Sequence, residues 1–337
     1  MDCLENSKKS QPSRPGIRWD SIVIGTVNER GPLSVKIALI HNRNAFRGGE
    51  ANDSELRRIF QRAGNDVAYV DTQENDWECV LSPEIERAII VGGDGTVEQA
   101  APHLKGVPFS ILPFGTANNI ARCLHQTSNP ELLASQLETS EVRQLDLGKV
   151  TYGAESDPFL ECSGLSVFVE LLFAMQEWPK TEEMEQAESR IEKFAHALEQ
   201  IQAISRTYKG MALELKADGA VICDRLMMLE VMNMKFIGPR LNLAPDADPS
   251  DGSLDLVLVR EGNRDHFCRW LECQSPGQNT AARFESRRCH RIEVNASTVA
   301  PLHVDSRLIE KPAFPLRIEI EPAALKYAVV KAVAHDT

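Results

Sequence analysis

The sequence predicts an α/β protein in which an N-terminal parallel α/β domain is followed by a C-terminal antiparallel β-sandwich domain. Three observations carry this. Up to about residue 150, apolar strand-like segments alternate with helical ones, the pattern of a parallel sheet covered by helices. After it come short runs rich in alternating β-formers, the pattern of antiparallel sheets. The length of 337 residues gives room for about two cores.

The elements follow in order. Met1 to Trp19 is polar, with Lys8, Lys9, Arg14 and two prolines, and lacks the apolar centre of a signal peptide. We read residues 1–30 as a disordered leader on a cytoplasmic protein. Within 31–148, residues 35–40 form a strand, Asp53 to Ala63 a helix, and residues 66–70 a second strand. Residues 87–91 form a third, followed by the first glycine turn and a helix beginning near Val97. Within 149–330 the β-rich runs are 211–215, 254–259, 291–294 and 316–320. One stripe interrupts them: Met184, Ala187, Ile191, Phe194, Leu198 and Ile201 recur at three- and four-residue spacing, one face of a helix. The plain reading is a helix packed on the sandwich. The sharper one is a membrane-facing or dimer-forming helix, against which Glu182, Glu183, Glu185 and Glu188 would repel anionic lipid.

A formal net charge of −12 argues against a nucleic-acid partner, which requires a concentrated positive face, and against broad adhesion to anionic membranes. Arg283, Arg287, Arg288, His290 and Arg291 form the local exception. They read either as a lipid-headgroup contact or as an ordinary solvated strand edge. No stretch approaches the roughly 20 apolar residues needed to span a bilayer. The eight cysteines have no paired metal-ligand spacing, so zinc is not expected.

The chemistry lies in two glycine-rich turns. The first is Val91-Gly92-Gly93-Asp94-Gly95-Thr96-Val97-Glu98, and the second Leu112-Pro113-Phe114-Gly115-Thr116-Ala117-Asn118-Asn119. Glycines at 92, 93 and 95 allow positive φ and let backbone N–H groups approach an anion, and a helix start adds its dipole. Two such turns hold a nucleotide's phosphates, and the chemistry implied is phosphoryl transfer.

The pair, in this order and spacing, resembles the diacylglycerol kinase and bacterial lipid kinase family, whose distant relatives include NAD kinases. The first motif alone marks only the superfamily. The second, Pro113 to Arg122, is the discriminating one. The likeness extends to Asp146-Leu147-Gly148-Lys149-Val150 at the domain junction and to residues 242–256. What the resemblance implies is an ATP- and Mg²⁺-dependent kinase acting on a lipid hydroxyl in the interdomain cleft. Nucleotide contact falls on Asn42, Thr72, Gly92, Gly93, Asp94, Gly95, Thr96, Glu98, Gly115, Thr116 and Asn118. Within that set, Asp94 holds the catalytic Mg²⁺ and Thr116 binds phosphate. A structural magnesium falls on Asp248, Asp251 and Ser253, beside the alternative of an Asx turn before a strand. Asp305 orients or deprotonates the acceptor hydroxyl. Two departures qualify this. Asn42-Arg43-Asn44-Ala45-Phe46 replaces the family's small-residue turn, and in Leu302-His303-Val304-Asp305-Ser306-Arg307 an arginine stands where the family has glutamate. A guanidinium cannot accept a proton; Arg307 is expected instead to act on phosphate or headgroup charge. Beside the lipid kinase stand a kinase of a soluble hydroxyl compound such as NAD and a non-catalytic nucleotide or lipid sensor.

Overall fold

The computed structural model describes residues 34–43, 53–74, 76–177, 190–275, 280–298 and 300–331. The leader, the turn residues Asn44 to Phe46, and Met184 and Ala187 of the apolar stripe lie outside them.

The N-terminal half alternates as predicted: β1 (Lys36–His41), α1 (Asp53–Arg62), β2 (Asp66–Asp71), β3 (Arg87–Gly92), α2 (Asp94–Ala100), β4 (Phe109–Pro113), α3 (Asn119–Cys123) and α4 (Pro130–Gln136). The strands run parallel in the order β2-β1-β3-β4. Both faces are covered, which is why β1 reads as an unbroken apolar run. Ile37 and Leu39 pack with Leu56, Phe60 and Leu133 of α1 and α4. Ala38 and Ile40, one pleat over, pack with Val97, Ala100 and Ile120 of α2 and α3. The helix after the first turn begins at Asp94, three residues before the position expected from apolar spacing.

Next come β5 (Glu141–Tyr152), β6 (Glu155–Phe159), β7 (Cys162–Ser166), α5 (Val167–Glu177), α6 (Arg190–Thr207), β8 (Met211–Ala217), β9 (Ala220–Met232), β10 (Phe236–Ile237) and β11 (Leu241–Asn242). The chain closes with β12 (Leu254–Arg260), α7 (Arg264–Glu272), β13 (Glu285–Cys289), β14 (Arg291–Ala296), β15 (Leu302–Val304), β16 (Arg307–Ile309) and β17 (Leu316–Val329). Strand β12 shows the layering. Leu254, Leu256 and Leu258 face the sandwich interior with Leu213, Leu215, Ile292 and Ile318. Val257 and Val259 face a helical layer with Phe267 and Trp270 of α7. Phe194, Leu198 and Ile201 of α6 are buried in that same layer, whereas Ile191 is exposed. The stripe therefore serves the chain's own core over its buried part.

One feature was not expected. The long strands β5 and β17 pair antiparallel along eleven residue pairs, and β17 also meets β4 in parallel at Tyr327 and Phe109. Parallel sheet and sandwich are thus joined, and residues 148 and 149 fall inside β5. The junction is a continuous strand that belongs to both halves.

The basic segment lies on β13 and the start of β14. Among the described residues β13 pairs only with β12, so it is an edge. Arg288 pairs with Asp251, His290 with Asp218, and Arg291 with Glu293 and Glu319. Three of the five basic residues are thus paired with carboxylates of neighbouring strands and loops.

Candidate active site

The two glycine turns follow β3 and β4 at their carboxyl ends, where an open α/β sheet places its ligand. They lie against each other. A Cβ on Gly93 would sit 2.9 Å from the Cα of Gly115, and one on Gly92 would meet the Thr96 side chain at 2.4 Å. None of Gly92, Gly93, Gly95 and Gly115 has positive φ; Gly93 is at −94°. Gly93 and Gly115 are needed for close approach of backbone to backbone, and the left-handed residue is Asn118, at φ 53°. Its side chain closes the second turn on itself. Oδ1 accepts the Gly115 N–H at 2.8 Å, and Nδ2 donates to the Gly115 carbonyl at 2.9 Å.

Asp94 links the turns. Its Oδ1 accepts the Ile120 N–H at 3.0 Å, so the first residue of α2 caps α3. Burial raises its pKa, and the backbone donors of α3 oppose the rise. Arg240 braces the second turn, donating to the carbonyls of Ala117 at 2.9 Å and Thr116 at 2.7 Å. Asn42, at the end of β1, donates to the Thr96 hydroxyl at 3.2 Å. Thr72, at the end of β2, is buried with its hydroxyl unpartnered.

Asp305 comes from the opposite half, in the turn between β15 and β16, at φ 49°. Its Oδ2 accepts the Leu160 N–H at 2.8 Å; its Oδ1 accepts those of Glu161 at 2.8 Å and Cys162 at 3.1 Å. Burial pushes its pKa up to about 6 against the pull of these donors. Its neighbour Ser306 donates both its N–H, at 3.2 Å, and its hydroxyl to Glu98 of α2. Burial, with the Asp305 charge second, pushes Glu98 up to about 8.

Asp94, Gly95, Glu98, Ala117, Asn119, Asp305 and Ser306 line a cavity of about 160 Å³, whereas Asn42, Thr72, Gly92, Gly93, Thr96, Gly115, Thr116 and Asn118 are not part of its lining. Asp94, Glu98, Glu161 and Asp305 supply an acidic wall, and Phe168, Leu171, Leu172 and Ile237 an apolar one. Beneath Asp305, His303 donates or accepts at its Nε2 toward both Glu230 oxygens, at 2.8 and 2.9 Å, and its Nδ1 lies 3.1 Å from the Asp305 carbonyl. Burial lowers the His303 pKa, but the Glu230 carboxylate and the contacts with Asp305 together outweigh it, for a net rise. Gly164 makes the space, since a Cβ there would meet Glu230 at 2.2 Å. Cys162 joins His303 and Glu230 in a buried cluster whose polar atoms lie within 4.8 Å of one another, but the His303–Glu230 contact is already a closed hydrogen bond.

Arg307 does not face this cavity's acidic wall as an anion-binding group. It pairs with Asp157 at 3.0 Å and is half exposed. The proposed magnesium loop is likewise separate. Asp248 accepts from the Ser250 N–H and hydroxyl at 3.0 and 2.7 Å, and Asp251 from the Ser253 N–H at 2.9 Å, which are Asx turns. Asp146, in the junction segment, holds this loop from below through the Gly252 and Ala323 N–H groups, at 2.6 and 2.7 Å.

Sequence reasoning missed Glu161, Glu230 and Arg240. A signal existed for the first two: each is a single charge inside an apolar strand run, Phe159-Leu160-Glu161-Cys162 and Met228-Leu229-Glu230-Val231. Such charges are rarely buried without a role.

Two family models match the chain. One is the diacylglycerol kinase catalytic domain, over residues 36–150; the other is the YegS C-terminal NAD kinase beta sandwich-like domain, over 180–329. Among curated proteins, the diacylglycerol kinase of Bacillus subtilis (strain 168) is 24% identical over 228 residues, spanning 66% of this chain and 71% of its own length. That of Mycobacterium tuberculosis (strain ATCC 25618 / H37Rv) is 23% identical over 300 residues, spanning 82% and 89%. A crystal structure of a diacylglycerol kinase from Bacillus anthracis str. Sterne superposes with a TM-score of 0.62 at 17% identity, covering 89% of this chain and 97% of that one. At that identity the structural match speaks for the fold.

Proposed function

The chain belongs to the bacterial lipid kinase family, and on that premise we propose that it transfers the γ-phosphoryl group of ATP, with Mg²⁺, to a hydroxyl of a membrane lipid such as diacylglycerol. The observation that carries this reading is the cavity itself. Its lining joins Gly95 and Ala117 of the two glycine turns and the carboxylates of Asp94, Glu98, Glu161 and Asp305 to the apolar side chains of Phe168, Leu171, Leu172 and Ile237. A polar wall beside an apolar one suits an acceptor with a hydroxyl head and hydrocarbon chains better than a soluble dinucleotide.

In this reading the backbone of residues 92–96 and the Thr116 hydroxyl hold the phosphates, with Asn42 and Thr72 at the neighbouring strand ends. Asn42 holds Thr96, and so fixes the turn as well as lining it. Asp94 and Glu98 are the hard oxygen donors that would hold Mg²⁺; their proton affinities are raised by burial and, for Glu98, by neighbouring carboxylates, strain that a divalent cation relieves. Bound there, the ion would neutralise phosphate charge during transfer. Asp305, fixed by three backbone donors, orients the acceptor hydroxyl. The same reading assigns a structural Mg²⁺ to Asp248, Asp251 and Ser253. No described helix is long and apolar enough to cross a membrane, so the lipid would be met at a membrane surface.

The test is transfer of label from γ-labelled ATP to a panel of diacylglycerol, ceramide, sphingosine and NAD. Label in an organic extract supports the proposal. Label confined to the aqueous phase on NAD would replace it with a soluble-substrate kinase.

A further inference from the structure

The acidic wall contains one carboxylate whose position none of the motifs accounts for. Glu161 lies between β6 and β7, is 6% exposed, and lines the cavity with Asp94, Glu98 and Asp305. Its backbone is held on both sides. The N–H donates to Asp305, and the carbonyl accepts from Asn233 at 2.8 Å and Met234 at 3.2 Å. Yet its Oε1 has no hydrogen-bond partner. Leaving a buried carboxyl oxygen unpaired is costly and rare in folded proteins, so a fold that keeps one in a cavity wall holds it there for something that enters the cavity.

The other three carboxylates are engaged. Asp94 caps α3, Glu98 receives both donors of Ser306, and Asp305 accepts three backbone N–H groups. Arg307 is turned to Asp157. We propose that Glu161 is the catalytic residue that takes the proton from the acceptor hydroxyl, while Asp305 positions Glu161 through its N–H. The proposal rests on the phosphotransfer reading above. As the hydroxyl proton passes to Glu161 Oε1, an electron pair on the hydroxyl oxygen forms the new bond to the γ-phosphorus. The bond from that phosphorus to the β–γ bridging oxygen breaks, and its electron pair leaves on ADP. The apolar wall opposite would hold the acceptor's chains with its hydroxyl toward Glu161.

The experiment compares wild type with Glu161→Gln and Glu161→Ala. It measures label transfer to diacylglycerol, hydrolysis of ATP with water as acceptor, ATP affinity by calorimetry and thermal melting. Both variants should bind ATP as wild type does and lose turnover by about 10²–10⁴-fold in both reactions, the range for loss of a general base. Formate, a diffusible carboxylate, should restore part of the rate to Glu161→Ala. A folded Glu161→Gln within threefold of wild type, or a Glu161→Ala that formate does not rescue, overturns the assignment. Should Glu161→Gln fail to fold, formate rescue of Glu161→Ala decides. If no lipid is labelled but ATP hydrolysis falls in the variants and recovers with formate, the lipid reading fails while Glu161 stands. A wild type that hydrolyses no ATP and labels nothing overturns both.

Discussion

Gly93 and Gly115 meet backbone to backbone: a Cβ built on Gly115 would lie 2.5 Å from the Cα of Gly93. No rotamer change relieves such a contact, because the atom met is main chain. The two motifs that carry the family likeness therefore touch, and Gly93 and Gly115 are set by the distance between turns.

Gly93→Val and Gly115→Ala should consequently lower both melting temperature and ATP affinity, with a stability loss of about 1–3 kcal/mol from overpacking. Gly95 is the discriminating position. A Cβ there meets only the Ser306 hydroxyl, at 3.9 Å. Gly95→Ala should melt no lower than wild type, since alanine favours a helix by up to about 1 kcal/mol over glycine. Its ATP affinity should still fall if the phosphates approach the first turn as proposed. Unchanged affinity in calorimetry would move the nucleotide elsewhere.

Arg307 stands in the family's glutamate position, but its guanidinium pairs with Asp157 at the surface. Exposed pairs of this kind contribute about 0–1 kcal/mol. Arg307→Ala should leave kcat and KM within about twofold of wild type. Arg307→Glu, which would face Asp157, should not raise turnover. A large KM increase in Arg307→Ala would instead place the guanidinium on substrate.

Most of the parallel half was legible because its strands are buried on both faces and two of its helices, α2 and α3, begin at glycine turns. The sandwich strands were legible through residues such as Leu213, Leu215, Ile292 and Val294, whose period of two survives in the core. What sequence could not carry was long-range pairing. Nothing local in Leu325 or Tyr327 says that they return to the N-terminal half beside Leu145 and Phe109. Sites behaved alike. Asp94 and Asp305, which line the cavity, stand out in sequence motifs, whereas Glu161 stands out through an unpaired oxygen, a property of packing.

The loop of Asp248, Asp251 and Ser253 offers a direct test of the structural magnesium. A cation bound by Asp251 would draw its Oδ2 from Arg288, 3.2 Å away. Added Mg²⁺ should raise the melting temperature without nucleotide, and Asp251→Asn should remove that increment. Arg288→Ala, which leaves Asp251 without its competitor, should enlarge it. Identical melting with and without Mg²⁺ in all three proteins would leave the loop as a pair of Asx turns.

The carboxylates that join the two halves give the protein a pH-dependent stability whose sign is fixed by their environment. Asp305 and Glu98 are pushed to about 6 and about 8 in the folded state, above the ordinary values of 3.8 and 4.5. Because the Asp305 charge raises Glu98, the two titrate as a pair. The folded chain then binds more protons than the unfolded chain between roughly pH 4 and pH 8. Stability contributed by these groups must fall as pH rises through that window, the reverse of a salt-bridged carboxylate. Glu98→Gln keeps an acceptor for the Ser306 donors and removes the charge that has to form at high pH. It should melt close to wild type near pH 5, melt higher near pH 8, and show a flatter slope between. Melting curves from pH 5 to 8 for the two proteins check this; parallel curves would mean that Glu98 and Asp305 ionise without strain, and that solvent or a cation reaches them more freely than their surroundings indicate.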